Sequence, residues 1–255
     1  MNIRILRAHN TESASTRMVS LLIDGKLALD AGGLTSSLSV REQLKLEAIL
    51  LTHGHYDHIR DVPTLGMNLF LNQARTELYG HRSVRDILIN RLLDGQVYSA
   101  FFQKPPEAPT FNFNIVEDGQ TFEAAGFTVT PVALSHSLPV LGYGLTSPNS
   151  KTLLFTGDTG PGVAKAIAQV TPDLLVIEIT APNRFQESIR QGGHLTPALL
   201  AAELTEFRRL KGYTPLTYCV HMNVCLENEI SAELAMLSAQ GFDVRPAYEG
   251  LEIDL

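Results

Sequence analysis

Four ionisable side chains, His53, His55, Asp57 and His58, stand within six residues, directly after the apolar run Ala48–Leu51. Packing alone supplies no reason to place such a cluster behind a strand. Neutral imidazole and carboxylate are ligands that suit Zn, Mn or Fe. A tight loop after a buried strand can aim several of them at one point. The same placement recurs along the chain. His136 follows the apolar-rich Val129–Leu134, Asp158 follows Leu153–Phe155 within TGDTGP, and His221 follows Tyr218–Val220. Each residue lies just beyond a predicted strand, where a rigid scaffold presents loop residues to a common rim. Seven N and O donors exceed what one tetrahedral zinc takes. They suit two cations about 3.5–4 Å apart that share one carboxylate and one bridging hydroxide.

The rest of the chain reads as strands that acquire helices. Residues 2–7 alternate around Ile3 and Ile5, and Asp24-Gly25 sits between two apolar runs as a two-residue hairpin turn. A short helix is expected over 39–46 and a buried strand over Ala48–Leu51. Helical patterning around Asn72–Tyr79 and Val84–Leu93 makes 68–104 a helical insertion, which would serve as a lid, a dimer contact or a plain helical layer. Strand patterning returns from Asn112 to Leu134 and again at Thr152–Thr156, Leu174–Ile179 and Leu216–Val220. Helices are expected at about 161–170, 197–211 and 227–240, and a terminal strand at 244–254. Thr196 followed by Pro197 is a good helix start, and Leu200, Leu204 and Phe207 then share one face. This order predicts packed sheets with helices outside.

Composition removes some partners. With 20 Lys+Arg against 27 Asp+Glu the formal net charge is −7, and the densest basic stretch, Arg208, Arg209 and Lys211, sits where a helix C-terminus favours positive charge. Duplex nucleic acid is therefore not an expected partner. No run of about 18 apolar residues occurs and the first ten residues lack a signal-peptide core, so no membrane association is expected and the cytoplasm is the expected location. Cys219 and Cys225 form no zinc-knuckle spacing or disulfide framework, and both are expected to be free buried thiols.

The order H-x-H-x-D-H, His, Asp, His resembles the metallo-β-lactamase superfamily, over nearly the whole chain from the N-terminal strands through Asp30-Ala31-Gly32 to His221. The resemblance implies an α+β fold, a four-layer αββα sandwich forming a single domain over 1–255, with the site at one edge. It also implies two divalent ions, Zn2+ first, with Mn2+ or Fe2+ accepting the same ligands. His53, His55 and His136 would hold the first ion, Asp57, His58 and His221 the second, and Asp158 would bridge them. TGDTGP at 156–161, LLVIEITAPN at 174–183 and GGHLTP at 192–197 are similar to class II cyclic-nucleotide phosphodiesterases. Tyr56 stands where leucine is common in that class. The position of His194 is similar to the extra motif histidine of tRNase Z enzymes, and Ser135–Pro139 through Gly142–Gly144 resembles tRNase Z and arylsulfatase relatives.

The implied activity is hydrolysis of a small phosphodiester, a 3′,5′-cyclic nucleotide first, by attack of a metal-bridging hydroxide. Asp57 and His194 would be the catalytic residues, Asp57 orienting the nucleophile and His194 serving the phosphate or the leaving oxygen. A tRNase Z-like endoribonuclease and an arylsulfatase-like metallohydrolase are the alternatives. Glu178, at the end of a strand, is either a carboxylate that orients a ligand histidine or a satisfied buried acid. His9 and His81 match no motif position and are read as outside the site. A homodimer is compatible with this reading.

Overall fold

The computed structural model describes residues 1–255. Its strands are β1 (Asn2–Arg7), β2 (Ser20–Ile23), β3 (Leu27–Leu29), β4 (Ala48–Leu50), β5 (Thr76–Gly80), β6 (Phe111–Ile115), β7 (Phe122–Ala124), β8 (Phe127–Leu134), β9 (Val140–Thr146), β10 (Thr152–Phe155), β11 (Leu174–Glu178), β12 (Leu216–Val220), β13 (Val244–Pro246) and β14 (Leu251–Asp254). They form two seven-stranded sheets, ordered β14-β1-β2-β3-β4-β5-β6 and β13-β12-β11-β10-β9-β8-β7. Both are mixed: β3 to β6 run parallel in the first, and β10 to β13 in the second.

Alternation along the strands explains the layers. Ile3, Ile5, Leu21, Ile23, Leu153, Phe155, Leu174 and Val176 enter one buried cluster shared by the two sheets. Their neighbours Leu22, Ala28, Ile49 and Leu78 pack outward under the helices α1 (Val40–Gln43), α3 (Val62–Leu71) and α4 (Arg82–Ile87). Leu154, Leu175 and Ile177 pack outward under α5 (Val163–Val170), α7 (Pro197–Lys211) and α8 (Glu227–Ala239). A period of two along each strand thus feeds two cores at once. The result is the αββα sandwich. Two short helices complete the chain: α2 (Tyr56–Ile59) and α6 (Gln186–Gln191). The start of α7 follows the expected chemistry, with Thr196 as N-cap and Pro197 in the first turn. No helix is long and apolar enough to cross a membrane.

Three expectations are corrected. Asn72–Tyr79 is not helical: α3 ends at Leu71, and Thr76–Gly80 is a strand paired with both β4 and β6. Thr76, Leu78 and Gly80 are buried while Glu77 and Tyr79 are half-buried, so the period is two. The stretch 68–104 therefore contributes a strand to the sheet, and its helical part is confined to the last turn of α3, to α4 and to the π-helical turn Leu88–Leu92. The expected terminal strand 244–254 is two strands in different sheets, separated by a turn at Gly250. Cys219 is buried, but Cys225 is exposed.

The topology places one rim. Strand β8 is antiparallel to β9, and β9 to β10, so the carboxyl ends of β8, β10, β11 and β12 all face the same edge. Residues following those ends are the ones an open sheet offers to a ligand. Leu78, fully buried on β5 beneath the helices, tests the corrected strand. Leu78→Ala should cost about 2–5 kcal/mol by denaturant unfolding, the usual cost of truncating a core leucine.

Candidate metal centre

The seven expected metal ligands and His194 converge at that rim. His53 and His55 leave the end of β4, and Asp57 and His58 ride on α2 just beyond. His136, Asp158 and His221 come from the loops after β8, β10 and β12. The backbone there bends sharply. Gly157 takes φ +61, and a Cβ on it would stand 2.6 Å from Thr52 Oγ1, so only glycine brings the Asp158 loop this close. His221 itself has φ 65, and its N–H donates to Ala8 O at 2.6 Å. A non-glycine residue in this region costs about 1–3 kcal/mol, which the surrounding packing must offset.

Two four-donor sets result. Four donors about 2.0–2.1 Å from a central zinc stand about 3.3 Å from one another. In the first set His55 Nδ1 lies 3.0 Å from His53 Nε2 and 3.2 Å from His136 Nε2. Asp158 Oδ2 lies 3.6 Å from His53 Nε2 and 3.8 Å from His136 Nε2. In the second set His58 Nε2 is 3.4 Å from Asp57 Oδ2 and 3.3 Å from Asp158 Oδ1. His221 Nε2 is 3.2 Å from Asp57 Oδ2 and 3.4 Å from Asp158 Oδ1. Asp158 thus offers one oxygen to each set.

Proton accounting points the same way. Thr52 Oγ1 donates its single hydrogen to Asp30 Oδ2 at 2.9 Å, so it must accept from His53 Nδ1 at 3.0 Å. Asp30 Oδ2 accepts from His58 Nδ1 at 2.7 Å, and Gly193 O from His136 Nδ1 at 2.8 Å. Thr180 Oγ1 donates to Glu178 Oε2 at 2.8 Å and therefore accepts from His221 Nδ1 at 3.0 Å. Four imidazoles consequently spend the Nδ1 proton outward and aim an Nε2 lone pair at the cluster. His58 Nε2 and Asp158 Oδ1 are buried and have no hydrogen-bond partner in the protein. Orphaned buried polar atoms are rare, and a cation between them would satisfy both. The residues therefore fit a pair of divalent ions.

The buried carboxylate and the rings around it set one another's charge. Burial opposes a charged Asp158, but the neighbouring His221 and His58 hold its carboxyl well below the ordinary range. Burial, reinforced by the neighbouring His58, keeps His53 neutral by pushing it well below its usual value. Burial also opposes a charged His58, yet Asp158 and Asp30 raise it well above its ordinary value.

The sequence pattern of the Beta-lactamase superfamily domain matches residues 22–222. The chain belongs to the beta-lactamase superfamily. Among curated relatives, a metal-dependent hydrolase of Myxococcus xanthus is 28% identical over 177 residues, 68% of this chain and 56% of that protein. A ribonuclease Z of Bradyrhizobium diazoefficiens is 29% identical over 151 residues, 56% of this chain and 48% of that protein. The chain spans about half the length of these two relatives. Among solved structures, unliganded yeast PDE1 superimposes with a TM-score of 0.81 at 14% identity, covering 100% of this chain and 99% of that one.

In this member of the superfamily two supporting residues carry more than their sequence positions announce. Asp30, fully buried at the end of β3 and held at φ 55, binds the Thr52 N–H and hydroxyl and the His58 ring together. Thr180 links Glu178 to His221 and lies 3.2 Å from His194 Nδ1. An acid or hydroxyl directly after an apolar strand was the available signal for both. Glu178 resolves as fully buried, with Oε1 accepting from His194 Nδ1 at 2.6 Å and from the Thr159 N–H at 3.2 Å. His9 lies aside, 2.8 Å from Glu249 and 3.3 Å from Glu227, and His81 caps α4 by accepting from Ser83 N.

Asp30→Ala should lower zinc affinity about 10–100-fold, as loss of an orienting carboxylate does, in a chelator competition assay. His194 supplies a pH test. Burial disfavours its charged form, but the hydrogen bond and charge of Glu178 overcome this and raise its pKa to about 9. A raised pKa means stabilisation that is complete below about 6.5 and is lost as pH climbs through about 9. In metal-stripped protein, the gap in Tm between the parent and Glu178→Gln should narrow across that window.

Proposed function

We propose that this protein is a metal-dependent hydrolase that cleaves a small phosphodiester, a 3′,5′-cyclic nucleotide before other candidates. One observation carries the reading: His194, gripped by Glu178, lines the same open cleft as Asp57, Asp158 and His221. The cleft has a volume of about 430 Å3, which suits a mononucleotide-sized ligand. The His194 ring stands 4.7 Å from that of His136 and 5.6 Å from that of His221, between the two donor sets.

His53, His55, His136 and Asp158 would hold one divalent ion, and Asp57, His58, His221 and Asp158 a second. Zinc suits these donors, and manganese or iron accepts the same set. When bound, such a pair supplies an acidified water and offsets negative charge on phosphoryl oxygens. The chain's own groups do the rest. His194 gives Nδ1–H to Glu178, so its second proton sits on Nε2, where it can hydrogen-bond a phosphoryl oxygen or pass to the departing ribose oxygen. Burial opposes ionisation of Asp57, but His221 and His58 hold its carboxyl far below the usual range, so it stays an anionic acceptor that can orient water. Thr180 keeps Glu178 and His221 in register. The segments TGDTGP, LLVIEITAPN and GGHLTP support the cyclic-nucleotide reading through their resemblance to class II phosphodiesterases.

A tRNase Z-like endoribonuclease is the second reading. Human tRNase Z, short form, shares the fold with a TM-score of 0.72 at 18% identity, covering 100% of this chain and 99% of that one, and His194 stands at a position similar to the tRNase Z motif histidine. Turnover of cyclic AMP, cyclic GMP, bis(p-nitrophenyl) phosphate, an aryl sulfate and a pre-tRNA, with metal content measured on the same sample, separates the readings. Cleavage of only the pre-tRNA would replace the first reading by the second, and cleavage of only the aryl ester of sulfate would replace both. Asp158→Ala should abolish metal retention and turnover together. His194→Ala should retain metal and lose about 10²–10⁴ in kcat, the range of a positioned acid or base.

A further inference from the structure

Nine residues line the metal cleft, and one of them is hydrophobic: Tyr56. It sits between His55 and Asp57, one from each donor set, at the first position of α2. The side chain is 60% exposed, although the residues around it in α2 are buried or half-buried. A single exposed aromatic on a protein surface needs no explanation. An exposed aromatic ring that is the sole apolar face of an otherwise polar, charge-lined cleft is different. The fold covers less than half of it.

A second feature of the same cleft complements the ring. Asn10 also lines it, and Asn10 Oδ1 is buried without a hydrogen-bond donor from the protein. The loop that carries Asn10 is tied down at several points. Asn10 N–H donates to Met222 O, next to His221, and Glu12 bridges Arg17 and Arg60. Arg60 directly follows α2, so this network fixes the Asn10 loop to the helix that presents Tyr56. The platform and the acceptor are therefore held in one frame.

We infer that Tyr56 and Asn10 form a recognition subsite for a flat aromatic group bearing a hydrogen-bond donor, attached to the phosphate that the metal centre engages. A nucleobase with an amino group has this chemistry. Tyr56 offers a π-face that any base can stack on, and Asn10 Oδ1 accepts from the ring's edge donor. The inference rests on the phosphate-directed reading above and adds which part of the substrate decides its affinity. Tyr56 and Asn10 act on binding, and neither touches the reacting phosphorus.

Binding of AMP and of ribose 5-phosphate to the zinc-loaded protein, measured by calorimetry, tests the subsite without turnover. The two ligands share phosphate and sugar and differ by the base. AMP should bind more tightly by on the order of ten-fold or more, as expected for one stacked base. Tyr56→Ala should bring the two affinities together by weakening AMP alone, and Tyr56→Phe should restore the preference because the ring face suffices. Asn10→Ala should weaken AMP while leaving ribose 5-phosphate unchanged. Equal affinities in the parent protein, or an AMP preference that survives Tyr56→Ala, would overturn the platform. An intact Tyr56-dependent preference together with no turnover of any phosphodiester would overturn the catalytic reading and leave the subsite standing.

Discussion

The Asp158 carboxylate is where the molecule's constraints meet. It is 2% exposed, and five histidine rings stand within 4 Å of its oxygens. A carboxylate in that position is costly to desolvate, and the neighbouring His221 and His58 favour its charged form. Its two oxygens divide between the two donor sets, so removing it unmakes both at once. Everything that brings Asp158 to the rim serves this arrangement: β10 buried between β9 and β11, the close approach of Gly157 to Thr52, and the antiparallel link through β9 that returns the end of β8 to the same edge.

Around that point the structure spends its hydrogen bonds on orientation. Asp30, Thr52, Glu178 and the carbonyl of Gly193 stand behind the rings, and Thr180 joins them from the cleft wall. They take the outward ring protons of the histidines and so decide which nitrogen points inward. Such an outer layer raises ligand basicity and locks the rings before any ion arrives. The left-handed backbone at Asp30 and His221 is the local cost of that geometry, and each follows a strand residue, Leu29 or Val220, buried in the core between the sheets.

His194 differs from the other cluster histidines. Its Nδ1 binds a carboxylate that is itself held by Thr159 and Thr180, so the ring is poised as a donor. The other five belong to the donor sets, although His58 is also paired with a carboxylate, Asp30. One rim therefore brings together two four-donor sets and a sixth histidine whose partner carboxylate is itself held by two threonines. Tyr56 adds an apolar surface in a polar cleft.

The amino-acid sequence by itself determined which donor side chains reach the rim and the layered architecture that holds them. Clustered His and Asp directly after apolar runs singled out the seven donors, and strand and helix patterning predicted packed sheets with helices outside; His194 and the four-layer sandwich followed from the resemblance to a known family. Three things were decided only by tertiary structure. Thr76–Gly80 became an inner strand because β4 and β6 pair with it on both sides, which overrides the local helical spacing of its apolar residues. The chain end split between two sheets because its halves find different partners, β12 and β1. The roles of Asp30, Thr180 and Asn10 depend on contacts to His58, His221 and the shared cleft, far away along the chain. Periodicity reports which face a residue turns inward, but not what the opposing segment places against it.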